Sequence, residues 1–168
     1  MASVRRIITM SARTDFIAKL SNINTHPKGY EYDDFIANIE NYVSGLNFLK
    51  DKIMEWMSGV PVAVSVTDCQ AVAENQLYKS PYRAVVITLM LKQNYIIFEP
   101  GPLFFHGQEF SVITVKKSVS GRHPVNTFAQ LYMARRISCA PPSLYVDTKM
   151  TVELNEEYFF NLIDDLTQ

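Results

Sequence analysis

Apolar residues recur at helical spacing in some stretches of the chain and alternate with polar ones in others. Phe35, Ile36, Ile39, Tyr42, Val43 and Leu46 fall on one helical face behind Asp33, a good N-cap. Leu49, Ile53, Trp56 and Met57 carry the stripe past Gly45, so a long helix is predicted that kinks or restarts there. Gly59 and Pro61 end it. Near the carboxyl terminus Phe159, Leu162, Ile163 and Leu166 form a second stripe. Asn155 caps it, and Glu156 and Glu157 sit in the first turn, where carboxylates favour the helix dipole. A third helix is predicted from Asn126, burying Phe128, Leu131, Tyr132 and Ile137.

Strand patterns fill most of the remainder. Arg5 to Ala12 reads as a strand, and Val62, Val64 and Val66 alternate with Ala63, Ser65 and Thr67. The stretch 69–77 is ambiguous, with Asp68 placed to cap a short helix there. Tyr82 to Leu91 is rich in branched residues, Lys92-Gln93-Asn94 reads as a turn, and Tyr95 to Phe98 resumes the strand. Pro100-Gly101-Pro102 is expected to block regular pairing and mark a bend. Phe110 to Val119 is a further strand, and Leu144 to Leu154 alternates cleanly enough for a half-buried one. The expected architecture is α+β: a single domain over 1–168, with a mostly antiparallel central sheet packed by three or four helices. The short basic segment 1–6 is expected to be flexible.

Composition narrows the class. The chain has 168 residues, 48% apolar and 20% charged, which is enough to bury about 70% of its unfolded surface. With 10 Phe and 9 Tyr it does not read as disordered. Its two cysteines, Cys69 and Cys139, have no metal-type spacing and read as reduced thiols. No apolar run approaches the ~20 residues of a spanning helix, so membrane contact is expected to be peripheral.

Candidate chemistry is sparse. His26, His106 and His123 fall in predicted loops, outside any recognisable motif with a cysteine or serine. The glycines form no phosphate-binding pattern, and no regular metal-ligand spacing occurs. Asp33-Asp34 and Asp164-Asp165 read as capping and solvated residues rather than acid–base pairs. The expectation is a protein that is not an enzyme, with no catalytic, cofactor-binding or metal-ligating residue.

The formal net charge of −1 conceals a segregation. Residues 110–146 carry no acid but hold Lys116, Lys117, Arg122, Arg135 and Arg136, whereas beyond Lys149 come Glu153, Glu156, Glu157, Asp164 and Asp165 without a base. The first 28 residues are basic again, beginning with Arg5 and Arg6. Lys116, Lys117, Arg122, Arg135, Arg136, Arg5 and Arg6 are therefore candidates for binding an anionic partner, through a salt-sensitive contact. Glu156, Glu157, Asp164 and Asp165 are candidates for self-association against that belt. Leu103, Phe104 and Phe105, behind the proline break, are apolar candidates for the same role.

The order of elements resembles the matrix proteins of rhabdoviruses, in particular those of plant-infecting members. The resembling parts are the segment Arg-Arg-Ile-Ile-Thr-Met-Ser-Ala (5–12) and the acidic-capped helix Tyr-Asp-Asp-Phe-Ile-Ala-Asn-Ile (32–39). A central sheet, the segment Thr-Lys-Met-Thr-Val-Glu-Leu (148–154) and the terminal helix complete the likeness. It implies a non-enzymatic structural protein of the virion, working in the host cytoplasm and at the inner membrane face. Such a protein associates with itself, binds the viral nucleoprotein–RNA complex and contacts an anionic membrane surface peripherally. The family's Pro-Pro-x-Tyr signal is not carried over, because Ser143 and Leu144 both separate Pro141-Pro142 from Tyr145. The alternative is an RNA-binding viral accessory protein, such as a silencing suppressor, using the same basic belt.

Overall fold

A computed structural model describes residues 12–17, 30–103, 110–119, 126–134 and 142–168. The chain divides into two compact units, 1–36 and 37–168. The described part of the first holds a short exposed helix, α1 (12–17), and the opening turns of α2 (Tyr30–Trp56), where the rings of Tyr32 and Phe35 lie 6.4 Å apart. The predicted strand 5–12 lies outside the described residues except for Ala12, which is helical. Asp33 sits within the first turn of α2 rather than ahead of it, and the helix runs through Gly45 without interruption.

The second unit is an α+β fold built on one six-stranded antiparallel sheet whose strands pair in chain order. These are β1 (Ala63–Glu74), β2 (Lys79–Leu91), β3 (Asn94–Pro100), β4 (Phe110–Ser118), β5 (Asn126–Ala134) and the two-residue β6 (Leu144–Tyr145). Helix α3 (Glu156–Ile163) and a 3₁₀ turn, Asp164–Thr167, close the chain. The predicted Asn155 cap is present: its side chain accepts from the Tyr158 N–H at 2.8 Å.

Direct strand partners share a face, and the register places Phe98, Val115, Ile113, Leu131 and Met133 on one side of the sheet. Helices α2 and α3 pack there. Phe159 of α3 lies 6.1 Å from the Phe98 ring and 5.1 Å from Trp56 of α2. Gly45 of α2 lies directly against the Met133 side chain, and a Cβ at that position would overlap it. Ile39, Tyr42, Leu46, Leu49 and Ile53 are the buried stripe of α2, spaced alternately by three and four residues. Tyr42 is fully buried, donating to the Val112 carbonyl at 2.5 Å and accepting from the Gly101 N–H at 3.0 Å.

The helix predicted from Asn126 is instead strand β5. Phe128, Leu131 and Tyr132 satisfy helical spacing, but so do Leu131 and Met133 satisfy alternation, and both of the latter are buried against the helices. The short helix behind Asp68 is likewise the continuation of β1, which runs to Glu74. The long strand predicted over 144–154 folds back on itself. Val146 N–H donates to the Val152 carbonyl at 2.9 Å and Leu154 N–H to the Leu144 carbonyl at 2.8 Å, across a turn at 147–151.

Asp147 organises that turn. Its carboxylate accepts from the Thr151 hydroxyl at 2.5 Å and from the Val152 N–H at 2.9 Å, and these bonds hold it below the ordinary aspartate value. A carboxyl lowered in the folded chain gives stability that is present above its unfolded pKa and lost as pH falls through the folded one. The amide resonances of Thr151 and Val152 are expected to titrate together below the unperturbed aspartate value of about 3.9. Asp147→Ala should abolish that titration.

Pro100 and Pro102 do not break β3 from β4. Gly101 N–H donates to the Val112 carbonyl, and Val112 N–H to the Pro102 carbonyl, both at 3.0 Å. Gly101 and Pro102 thus both face Val112, and alternation turns only the Pro100 nitrogen toward β2, where it lacks a donor. The β2–β3 ladder accordingly ends at Ile87 and Phe98, while β2 goes on pairing with β1 as far as Lys79. The outer parts of β1 and β2 are thus left as a two-stranded ribbon.

Candidate functional site

Of the residues proposed to bind anions, Lys116 and Lys117 are described. Arg5, Arg6, Arg122, Arg135 and Arg136 lie outside the described residues. Consecutive strand residues point to opposite faces, so the two lysines diverge. Lys116 pairs with Glu99 on the face away from the helices. Lys117 is on the helix side, where it meets Asp165 at 2.5 Å and its ammonium lies 4.8 Å from the centre of the Phe128 ring. Phe128 reaches it because β5 carries an irregularity opposite Val115 and Lys116. One residue of the basic belt and one of the acidic end therefore meet inside one chain.

The other self-association candidates divide. Glu156 and Glu157 occupy the first turn of α3 and are exposed, as is Asp164. Leu103 is buried, its carbonyl accepting from the Ser111 hydroxyl at 3.0 Å, so it belongs to the interior rather than to a contact surface. Phe104 and Phe105 lie outside the described residues, as do His26, His106, His123 and Cys139. Among the described residues no group of three His, Cys, Asp or Glu side chains is placed to hold a metal ion, and no helix is long and apolar enough to cross a membrane.

A cleft of about 320 Å³ opens between α2 and the segment after β6, lined by Phe48, Lys52, Trp56, Leu144, Glu153 and Glu156. Its lining combines the rings of Phe48 and Trp56 with the charges of Lys52, Glu153 and Glu156. Lys52 is already engaged, 3.4 Å from Glu55 and 5.8 Å from the Phe48 ring centre.

The least covered strand is β1. It spans 12 residues, of which only Ala73 is fully buried, and among the described strands it pairs with β2 alone. Two hairpins fix which of its backbone groups face outward. The Asn75 N–H donates to the Tyr78 carbonyl at 2.9 Å, and Asn75 Oδ1 receives the Leu77 and Tyr78 N–H groups to set the turn. Position 75 therefore points at β2, as do the odd-numbered residues before it. The two-residue turn between Leu91 and Asn94 leads to the same assignment from the other side of β2. Val64, Val66, Asp68, Gln70, Val72 and Glu74 consequently turn their N–H and C=O groups to the open edge.

The other edges are protected. The overhanging edge of β2 carries Pro81, which has no N–H to offer, flanked by Lys79 and Arg83. β6 is two residues long and is covered by the returning segment through the Tyr145–Glu153 bridge. β1 has no proline, no lysine and no arginine, and its exposed apolar residues include Val66 at 39% and Val72 at 55%.

The ribbon is not splayed freely. Buried positions in β2 switch from Tyr82 and Ala84 to Ile87 and Leu89, with Val85 and Val86 half-buried between, although the register with β1 never shifts. A strongly twisted two-stranded ribbon accounts for this by rolling its second face inward. The Tyr82 ring then meets Tyr42 edge-on at 6.2 Å. Burial, with the Cys69 thiol beside it, pushes the Tyr82 hydroxyl up to about 12. Cys69 lies on that same face and is itself raised, by burial first and then by Glu99 and Asp68. Neither group titrates toward a reactive form near neutrality. No family model matches the chain, and no curated protein and no solved structure is detectably similar to it.

Proposed function

We propose that the chain is a non-enzymatic structural protein of the matrix type, which associates with itself and links a nucleoprotein–RNA complex to the inner face of a membrane. The observation that carries the self-association is the open edge of β1, a long row of backbone donors and acceptors with no partner among the described residues and with no proline, lysine or arginine to discourage pairing. The linking role rests on the resemblance in element order and on the basic residues of the chain. A naked-RNA binder is less well supported, because Lys116 and Lys117 diverge and each already holds a carboxylate.

Contacts made by backbone hydrogen bonds and apolar side chains resist salt, unlike contacts between exposed charges, which about 0.5 M salt screens within a few ångströms. Sedimentation equilibrium of the full chain is expected to show dimers or larger species at micromolar concentration that persist at that ionic strength. Co-sedimentation with vesicles containing anionic lipid is expected at low salt and lost at high salt. A monomer at every concentration, without vesicle binding, rejects the proposal. Tight retention of naked RNA by such a monomer establishes the accessory-protein reading instead.

A further inference from the structure

We infer that two copies of this chain join β1 to β1 in antiparallel fashion about a two-fold axis passing beside Cys69, making one continuous sheet. This rests on the self-associating reading above and specifies its interface. A two-fold contact brings the same strand against itself, so each residue faces one at an equal distance on the other side of the axis. Only registers that set even-numbered residues opposite even-numbered ones let the outward donors and acceptors meet.

Three such registers are centred near the middle of the strand. With Asp68 on the axis, two carboxylates stand directly opposite each other, which is repulsive. With Gln70 on the axis, the overlap shortens and both exposed valines face carboxylates, Val66 the partner's Glu74 and Val72 the partner's Asp68, whereas with Cys69 on the axis only the half-buried Val64 faces the partner's Glu74. With Cys69 on the axis, residues 64–74 of both copies pair. Val66 then faces the partner's Val72, so the two exposed valines of the strand cover each other. Asp68 faces the partner's Gln70, whose amide can donate to it. On the opposite face Thr67 meets the partner's Ala71 and Ser65 meets the partner's Ala73, all small enough for close approach.

The same register sets a geometric marker. Cys69 and the partner's Cys69 occupy a non-hydrogen-bonded pair, where Cα atoms lie about 4.5 Å apart, inside the range of about 4.4–6.8 Å that a disulfide spans. The raised thiol makes spontaneous oxidation slow, so the marker is read with an added oxidant at mildly alkaline pH.

The test uses the full chain carrying Cys139→Ser, which leaves Cys69 as its one thiol. Diamide accepts two electrons and two protons from the two thiols as the Sγ–Sγ bond forms, and is itself reduced to the hydrazine. Most of the protein is expected to run as a covalent dimer on a non-reducing gel. The register is read separately, in a background lacking both cysteines. Thr67→Cys alone and Ala71→Cys alone should stay monomeric, whereas their mixture should cross-link. Gln70→Pro removes a donor that faces only the partner, and should reduce cross-linking roughly tenfold with unchanged circular dichroism. Val66→Lys combined with Val72→Lys should do the same without altering a backbone donor. Cross-linking by Thr67→Cys alone overturns the register. A sedimenting oligomer with no Cys69 dimer overturns this interface but leaves the self-associating reading standing, and a monomer at every concentration removes both.

Discussion

Phe159→Ala is expected to destabilise the second unit by about 3–5 kcal/mol. The ring is fully buried and touches three others: Trp56 at 5.1 Å, Phe98 at 6.1 Å and Phe160 at 5.4 Å between centroids. It joins α2, α3 and the sheet, so a cavity there opens between elements that cannot all close on it. For a unit of this size the melting temperature should fall by roughly 10 °C. Trp56 is the only tryptophan, and its fluorescence reports the loss directly. Phe160→Ala is the control: that ring is half-buried, and its removal should cost less than half as much. Equal effects from the two would show that Phe159 is not the pivot between the layers.

Gly101→Ala is expected to cost about 2–3 kcal/mol, although it adds one methyl group. A Cβ at 101 would stand 2.8 Å from the Val112 carbonyl oxygen and 2.6 Å from Thr114 Oγ1. The hydroxyl can rotate away, but the carbonyl is held by the Gly101 N–H and by the Tyr42 hydroxyl. Relief therefore requires β3 and β4 to separate where the β2–β3 ladder has already ended. Denaturant unfolding monitored by circular dichroism measures the cost. Gly45→Ala makes an informative comparison, because its clash is with the flexible end of Met133 and the new residue favours helix. It should cost clearly less than Gly101→Ala.

The strongly periodic elements were legible in the sequence, and the reasons are local. Asn155 followed by Glu156 and Glu157 signals a helix start that nearby residues satisfy by themselves, and Lys92-Gln93 supplies a turn between two β-branched runs. α2 declared itself through a stripe long enough to exclude a strand. β5 reads as a helix in sequence because a nine-residue segment with Phe128, Leu131, Tyr132 and Met133 fits two periods at once, and only packing against Gly45 selects one. The alternation over 144–154 was real, but alternation continues across a tight hairpin as readily as along a strand. In 69–74 the small residues Ala71 and Ala73 hide the strand, since neither carries the bulk that marks a buried face.

The candidate interface was less legible than the fold. That β1 lies at an edge follows from the order in which the strands pair, which no residue of β1 itself announces. The charge segregation was plain in the sequence. That Lys117 and Asp165 answer each other within one chain could be read only from the third dimension.

The position of α2 ahead of all six strands has a consequence during synthesis. Its apolar stripe, Tyr42 through Ile53, leaves the ribosome before the described strands that will cover it exist. Met133, which receives Gly45, and Val112, which receives the Tyr42 hydroxyl, follow only when β4 and β5 have been made. At about 5–20 residues per second the helix waits several seconds, and α3 completes its covering last of all. A nascent chain arrested before β4 should therefore be the form that chaperones hold longest, and release should coincide with the emergence of β5 rather than with the end of translation.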